Sequence, residues 1–329
     1  MENTFLQYDF NDFDLFVETV RDWQLDFCQL DRGASQCNLY QIINQRMIVG
    51  YFRASRSIKQ QGAPPEQMWT FSLLTPRSPV WVWGGHEVTS GTMVVYRPGA
   101  DFDCVSPPGF EVFTVSALPE LIGQLCEQLE MPDLLKQMSV RSIVRCPPAN
   151  FIELINRTHQ FTQIVKTLPD DRAGYKLRCK HEKELLRMLL TTLADGLFVQ
   201  HNRKSMMLNS VTKKVDEYLG SNPFEALTVK KLCEIANVNE RTLQHNFRDA
   251  FGFSPKNYLK AMYLNRVRKE LLNSAVETPL VSDVANRWGF WHMGQFAADY
   301  RKLFGELPSQ TLGGPRKLRP AILGPRQGR

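Results

Sequence analysis

Apolar positions along this chain change period near residue 118. Before that point, short apolar runs cover residues 25–30, 38–43, 47–52, 68–74, 80–83, 93–96 and 111–116. They are rich in β-branched and aromatic residues and are often bounded by Gly, Pro, Ser or Asn, which predicts strands. Several short strands at near-regular spacing predict a barrel or sandwich. Residues 13–20 predict a short preceding helix, and residues 97–110 a loop-rich joint between late strands. After residue 118 the period is helical, over 119–130, 150–167 and 176–200. The last of these carries Leu185, Leu186, Met188, Leu189, Leu190, Leu193, Leu197 and Phe198. That is too apolar for an isolated surface helix, so it either packs on the strands or forms a dimer seam. Residues 169–174 read as a loop and 200–205 as a short polar linker.

From Thr228 to Pro308 one architecture occurs twice: short helix, tight turn, second helix, Phe-Gly, then proline. In the first copy Thr228 suits an N-cap. Val229, Leu232 and Ile235 make one apolar face, and Asn237 stands where a left-handed residue must end the helix. Asn239 suits the cap of the next helix, whose buried stripe is Leu243, Phe247 and Phe251. Arg241, Gln244, His245 and Arg248 remain outward. In the second copy Val281, Val284, Ala285 and Trp288 face inward, and Gly289 allows the positive φ of the turn. Phe290, Phe296, Tyr300 and Leu303 pack inward. Trp291, His292, Met293, Gln295 and Ala298 are expected to face the groove, with Arg301 and Lys302 behind. A helix over 256–273 separates the units. Its 18 residues span roughly 27 Å, and adding the packing radii of the flanking domains sets the second helices on the order of one DNA turn apart, about 34 Å. Such a pair can enter consecutive major grooves on one face of a duplex. The candidate DNA contacts are Asn239, Arg241, Thr242, Gln244, His245, Arg248, Trp291, His292, Met293, Gln295, Ala298, Arg301 and Lys302.

These residues resemble the DNA-binding domain of AraC/XylS-type bacterial transcription regulators over residues 205–312. The second unit carries most of the resemblance, through Val284-Ala285, Trp288-Gly289-Phe290, Gln295-Phe296, Tyr300-Arg301, Phe304-Gly305 and Pro308-Ser309. The run from Trp288 to Arg301 is similar to the ethanolamine-operon regulator branch, as is the turn Arg97-Pro-Gly99. Two departures stand out. Asn237 and Asn239 replace the usual Gly and Ser, and Ala298 stands where many members carry a DNA-contacting Arg. The resemblance implies promoter binding, usually activation, contact with RNA polymerase, and an N-terminal domain for effector sensing or dimerisation, with a cupin-like jelly roll. The expected fold class is therefore α+β: an N-terminal cupin-like β-barrel with a helical extension, and a C-terminal all-α tandem helix-turn-helix domain. The boundaries are 1–170 for the sensor, 171–204 for a helical dimerisation or linker segment, 205–312 for the DNA-binding domain and 313–329 for a disordered basic tail.

Charge supports that division. Residues 205–329 hold 19 Lys/Arg against 11 Asp/Glu, whereas residues 1–204 hold 21 against 23. A near-neutral half joined to a basic half suits a sensor joined to a polyanion binder. An outward basic face is expected from Arg241, Arg248, Lys260, Arg266, Arg268, Arg301 and Lys302, and it argues against a helical protein-interaction module without DNA. The seven cysteines are scattered, with no C-x-x-C pair, as in a reducing cytoplasm. The first residues do not read as a signal peptide, and no apolar run reaches the ~18 residues of a membrane span.

The alternative is a small-molecule-binding cupin-type enzyme with a helical interaction module. No Walker-type loop, dinucleotide fingerprint, H-E-x-x-H or G-x-S-x-G context supports it. His86 stands alone in the strand region, without a His-x-His pair, so neither a metal nor another cofactor is expected. Trp69, Phe71, Trp81 and Trp83 either pack the core or line an apolar effector pocket, and Arg97 either rims that pocket or closes its own turn.

Overall fold

The computed structural model of the chain describes residues 4–83, 86–169, 171–199, 214, 217–218, 227–273 and 280–313. Most of the 200–226 stretch, including the 200–205 linker, and the tail after 313 lie outside the described residues.

The N-terminal strands are β1 (Thr4–Phe10), β2 (Gln24–Gln29), β3 (Cys37–Ile43), β4 (Met47–Ala54), β5 (Ile58–Ala63), β6 (Trp69–Leu74), β7 (Trp81–Trp83), β8 (His86–Val88), β9 (Thr92–Tyr96), β10 (Phe102–Ser106), β11 (Phe110–Ala117), β12 (Ile143–Arg145) and β13 (Leu197–Phe198). They form two antiparallel sheets, ordered β1-β3-β4-β11-β6-β9-β12-β13 and β2-β5-β10-β7-β8. Of the expected barrel or sandwich, the chain thus takes the two-sheet form, not closed into one barrel. The 97–110 joint also proves to contain a strand, β10, paired with β5 from Phe102↔Gly62 to Ser106↔Ile58. Polar composition hid β5 in the sequence: Lys59, Gln60 and Gln61 fill its middle, and pairing on both sides holds it extended.

Two-residue alternation divides the larger sheet between two cores. Leu39, Phe52, Leu74, Val94, Tyr96, Phe110 and Val112 face the smaller sheet. Their neighbours Tyr40, Val49, Trp69, Phe71, Leu73, Met93, Val95, Phe113 and Val115 face a helical layer. That layer consists of α2 (Pro119–Gln128), α3 (Leu134–Val140), α4 (Pro148–Thr167) and α5 (Arg172–Ala194), while α1 (Phe13–Thr19) lies on the other side. Helix α5 begins and ends earlier than its sequence pattern suggests. Asp171 caps it by accepting from Gly174 N at 2.7 Å, and Leu197 and Phe198 leave it to join the sheet. Leu185, Leu186, Leu189, Leu190 and Leu193 are each 0% exposed within the chain. They pack on the sheet and on α4, so this stripe cannot be a seam between protomers.

The C-terminal helices are α6 (Val229–Ala236), α7 (Glu240–Phe251), α8 (Pro255–Asn273), α9 (Val281–Arg287), α10 (Met293–Phe304) and α11 (Pro308–Gly313). Helix α8 runs between the two helix pairs and buries Tyr258, Leu259, Met262, Leu264, Val267 and Leu271. It also packs on β2, an edge strand of the smaller sheet. There the Asn265 carboxamide does what a further strand would do. It accepts from Gln29 N at 2.9 Å and donates to Gln29 O at 2.8 Å, satisfying an edge that would otherwise be unpaired.

Candidate nucleic-acid interface and the cavity behind it

The first helix pair is built by its caps. Thr228 Oγ1 accepts from Lys231 N at 3.2 Å, Asn237 takes φ 52° to end α6, and Asn239 Oδ1 accepts from Thr242 N at 2.8 Å to start α7. Asparagine thus fills both turn positions where the family resemblance leads one to expect Gly and Ser, because its short side chain tolerates the left-handed region and also caps a helix. Leu232, Leu243 and Phe247 are buried, which turns Arg241, His245 and Arg248 outward, all exposed, with Gln244 half-buried beside them. Gln244 Nε2 donates to Glu240 Oε1 at 3.0 Å one turn back. Asn239 is exposed and Thr242 half-buried at the start of the same helix.

In the second pair Gly289 takes φ 82° at the turn, and Phe296, Tyr300, Leu303 and Phe304 are buried. Trp291 is 72% exposed. His292, Gln295, Ala298, Arg301 and Lys302 are exposed and Met293 half-buried. Burial alone would raise the Asp299 carboxyl, but a hydrogen bond from Gln295 and the Lys260 ammonium outweigh it and hold it below its ordinary value. Lys260 reaches Asp299 Oδ2 at 2.9 Å. All thirteen candidate contact residues therefore lie on α7, on α10 or at their N-terminal turns, and none is buried.

Two members of the expected basic face behave differently. Lys260 is tied to Asp299, and Arg268 is buried, its side chain only 6% exposed. Arg268 Nη2 donates to Asp12 Oδ2 at 2.8 Å and Nε to Asp14 Oδ2 at 2.9 Å, while Nη1 pairs with Glu306 and lies 3.4 Å from Thr311 Oγ1. Its guanidinium sits over the rings of Phe304 and Phe13, at 4.9 Å and 5.8 Å from their centroids. Asp12 caps α1 and Asp14 lies in its first turn, so this arginine joins the β domain to the helical domain. Burial pushes the Asp14 carboxyl up to about 6, with Arg268 pulling down and Asp12 pushing up. Burial opposes the Arg268 charge, but Asp12, Tyr300, Asp14 and Glu306 more than compensate and raise its pKa. Further contacts complete the junction. Gln29 Nε2 donates to Leu303 O at 2.5 Å, Gly33 N to Lys302 O at 3.0 Å, and Lys269 pairs with Asp26. Gly305 takes φ 80°, and a Cβ there would sit in tight contact with Ala34 at 3.0 Å.

Behind the junction a cavity of about 70 Å³ lies between the sheets. Phe16, Phe27, Phe52, Trp81, Tyr96 and Phe102 supply most of its aromatic wall, and Gln60, Ser72, Cys104 and Thr114 its polar groups. Of the aromatic residues proposed from sequence, Trp81 lines it. Trp83 packs beside, 4.9 Å from Trp81 and 5.2 Å from Tyr96 between ring centroids. Trp69 and Phe71 do not line it, because their strand register turns them to the helical layer. Arg97 is exposed at its own turn, where its carbonyl accepts from Ala100 N at 3.0 Å. Sequence reasoning missed Gln60 and Phe16, whose role depends on strand pairing and helix docking rather than on any local pattern. Among the described residues, no three His, Cys, Asp or Glu side chains cluster as metal ligands would, and no helix is long and apolar enough to cross a membrane.

A family model described as a helix-turn-helix domain matches residues 232–313. The chain is 32% identical over 127 residues to the XylDLEGF operon transcriptional activator 2 of Pseudomonas putida, covering 38% of this chain and 81% of that one. It is 33% identical over 128 residues to a probable thc operon regulatory protein of Rhodococcus erythropolis, covering 36% of this chain and 39% of that protein's length. Among solved structures, the AraC-like transcriptional activator CuxR aligns over 85% of this chain and 99% of its own, at 12% identity and a TM-score of 0.44. With the paired helices and their exposed second members, the sequence likeness leads to one conclusion: the chain belongs to the AraC/XylS family of helix-turn-helix transcription regulators.

Proposed function

We propose that this protein is a sequence-specific activator that reads two consecutive major grooves of promoter DNA, recruits RNA polymerase, and is controlled by a small molecule held in the β domain. The observation that carries the reading is the pair of helix-turn-helix units, the first capped by Thr228 and Asn239 and the second turned at Gly289, whose second helices keep their polar faces exposed on either side of α8. Arg241 and Gln244 are assigned to bases, with His245 and Arg248 reaching bases or phosphate, since Arg suits guanine and Gln adenine. To pair with an adenine edge, Gln244 must release Glu240. On the second unit Gln295 is the corresponding reader, and Ala298 offers only apolar contact. The likeness of the Trp288–Arg301 string to the ethanolamine-operon branch supports placing the reading head near that branch. Seven free cysteines, five of them buried, suit a cytoplasmic protein.

The junction supports the control. Helix α1 contributes Phe16 to the cavity and Asp12, Phe13 and Asp14 to the Arg268 contact. Strand β2 contributes Phe27 to the cavity and Gln29 to Asn265. An effector that binds one placement of α1 and β2 more tightly shifts the helical domain by that difference in affinity. A homodimer would use a face other than the buried leucines of α5.

The test is selection of duplex DNA by the full chain, followed by titration at several salt concentrations. The expected result is a two-part site with half-sites about one turn apart and an affinity that falls steeply with salt. Failure to enrich any sequence would refute the reading.

A further inference from the structure

We infer that the cavity between the sheets takes an uncharged ligand: a small apolar ring bearing a hydrogen-bond acceptor such as a carbonyl or ether oxygen. The inference deepens the effector reading above and rests on it. Two observations carry it. First, the wall holds two buried donors without a partner, Trp81 Nε1 and Gln60 Nε2. Trp81 is 2% exposed and Gln60 7%. An indole N–H can only donate, and buried donors are nearly always paired in folded proteins. Both belong to the smaller sheet, on β7 and β5, and both are left for something that arrives from outside the chain.

Second, among the residues lining the cavity none carries a charge. Lys59 and Asp103, next in sequence to the lining residues Gln60 and Cys104, pair with each other at 3.8 Å. Gln41 is likewise occupied, exchanging two hydrogen bonds with the backbone of Arg21. A carboxylate or ammonium entering this space would lose its hydration with no opposite charge to meet it. A neutral acceptor loses little and gains both donors. The volume of about 70 Å³ exceeds the roughly 10–15 Å³ that one water needs, and the aromatic wall suits a flat or puckered ring. Gly50 and Thr114 both line the space, and a Cβ at Gly50 would meet Thr114 Oγ1 at 2.6 Å.

The experiment uses the full chain and three probes with equal numbers of non-hydrogen atoms: cyclopentanone, methylcyclopentane and cyclopropanecarboxylate. Binding is read from the indole N–H resonance of Trp81, assigned as the one lost in Trp81→Phe. Cyclopentanone is expected to move this resonance saturably. The hydrocarbon should bind more weakly and the carboxylate not at all. Gln60→Leu should weaken the ketone by at least about threefold, the loss of one neutral hydrogen bond. The inference is overturned if the carboxylate or the hydrocarbon binds as well as the ketone, if no probe moves the resonance, or if Gln60→Leu leaves ketone affinity unchanged. The three-probe comparison on the unaltered chain stands whether or not that variant folds. The same preparation is titrated with selected DNA. Specific DNA binding without ketone binding sinks the inference alone, and ketone binding without specific DNA binding sinks the regulator reading alone.

Discussion

Arg268→Met is the sharpest probe of how the two domains are joined. The substitution keeps most of the apolar stem and removes the guanidinium. It leaves Asp12, Asp14 and Glu306 facing one another, with side chains 24%, 14% and 35% exposed. Removing one member of a buried ion pair typically costs ~3–5 kcal/mol, because the remaining charges stay desolvated and unpaired. Since all three acids keep some solvent contact, the expected cost lies near the lower end, about 3 kcal/mol. The assay is urea unfolding of the full chain, with Asp12→Asn and Asp14→Asn added singly and together to close a mutant cycle. Neutralising both aspartates in the Arg268→Met background should restore most of the loss. The pH dependence has a definite sign. Burial already holds the folded Asp14 carboxyl up at about 6, above its value in an unfolded chain, and Arg268 is the group pulling it down. Removing Arg268 raises it further. A carboxyl whose folded pKa lies above its unfolded one contributes stability at low pH, and that contribution is lost as pH rises through the folded value. The penalty of Arg268→Met should therefore be smaller at pH 5 than at pH 7.5. A cost below about 0.5 kcal/mol, the range of ordinary surface changes, or a penalty that shrinks as pH rises, would refute the account of the junction.

Two further outcomes are expected. Gln244→Ala should relax specificity at one position of the selected site by about 1–3 kcal/mol; an equal loss on every sequence would make Gln244 a backbone contact. Leu189→Asp with Leu193→Asp should unfold the β domain rather than dissociate a dimer, since both leucines are 0% exposed within the chain; circular dichroism that stays native at ordinary temperature would contradict this.

The repeated helix pair was legible in the chain because every step of it is local. Caps, the left-handed Asn237, the glycine at 289 and the apolar stripes all act within a few residues, so spacing alone placed α6, α7, α9 and α10 and turned the polar faces outward. The strands with clear apolar character were legible for the same reason. What the chain could not disclose was anything set by distant partners. The strand β5 is polar and exists through pairing with β2 and β10. Two-residue alternation showed that Trp69 and Phe71 share one face, but which layer that face meets was decided only when α4 and α5 docked. The leucines of α5 carried equal signals for a core and for a seam, and docking chose the core. Arg268 read as one more cation on a basic helix. Its partners lie 254 and 256 residues away in sequence, and a charge paired across a domain boundary leaves no periodic trace. Local geometry wrote the reading head into the sequence, whereas long-range packing alone decided the cavity and its tie to that head.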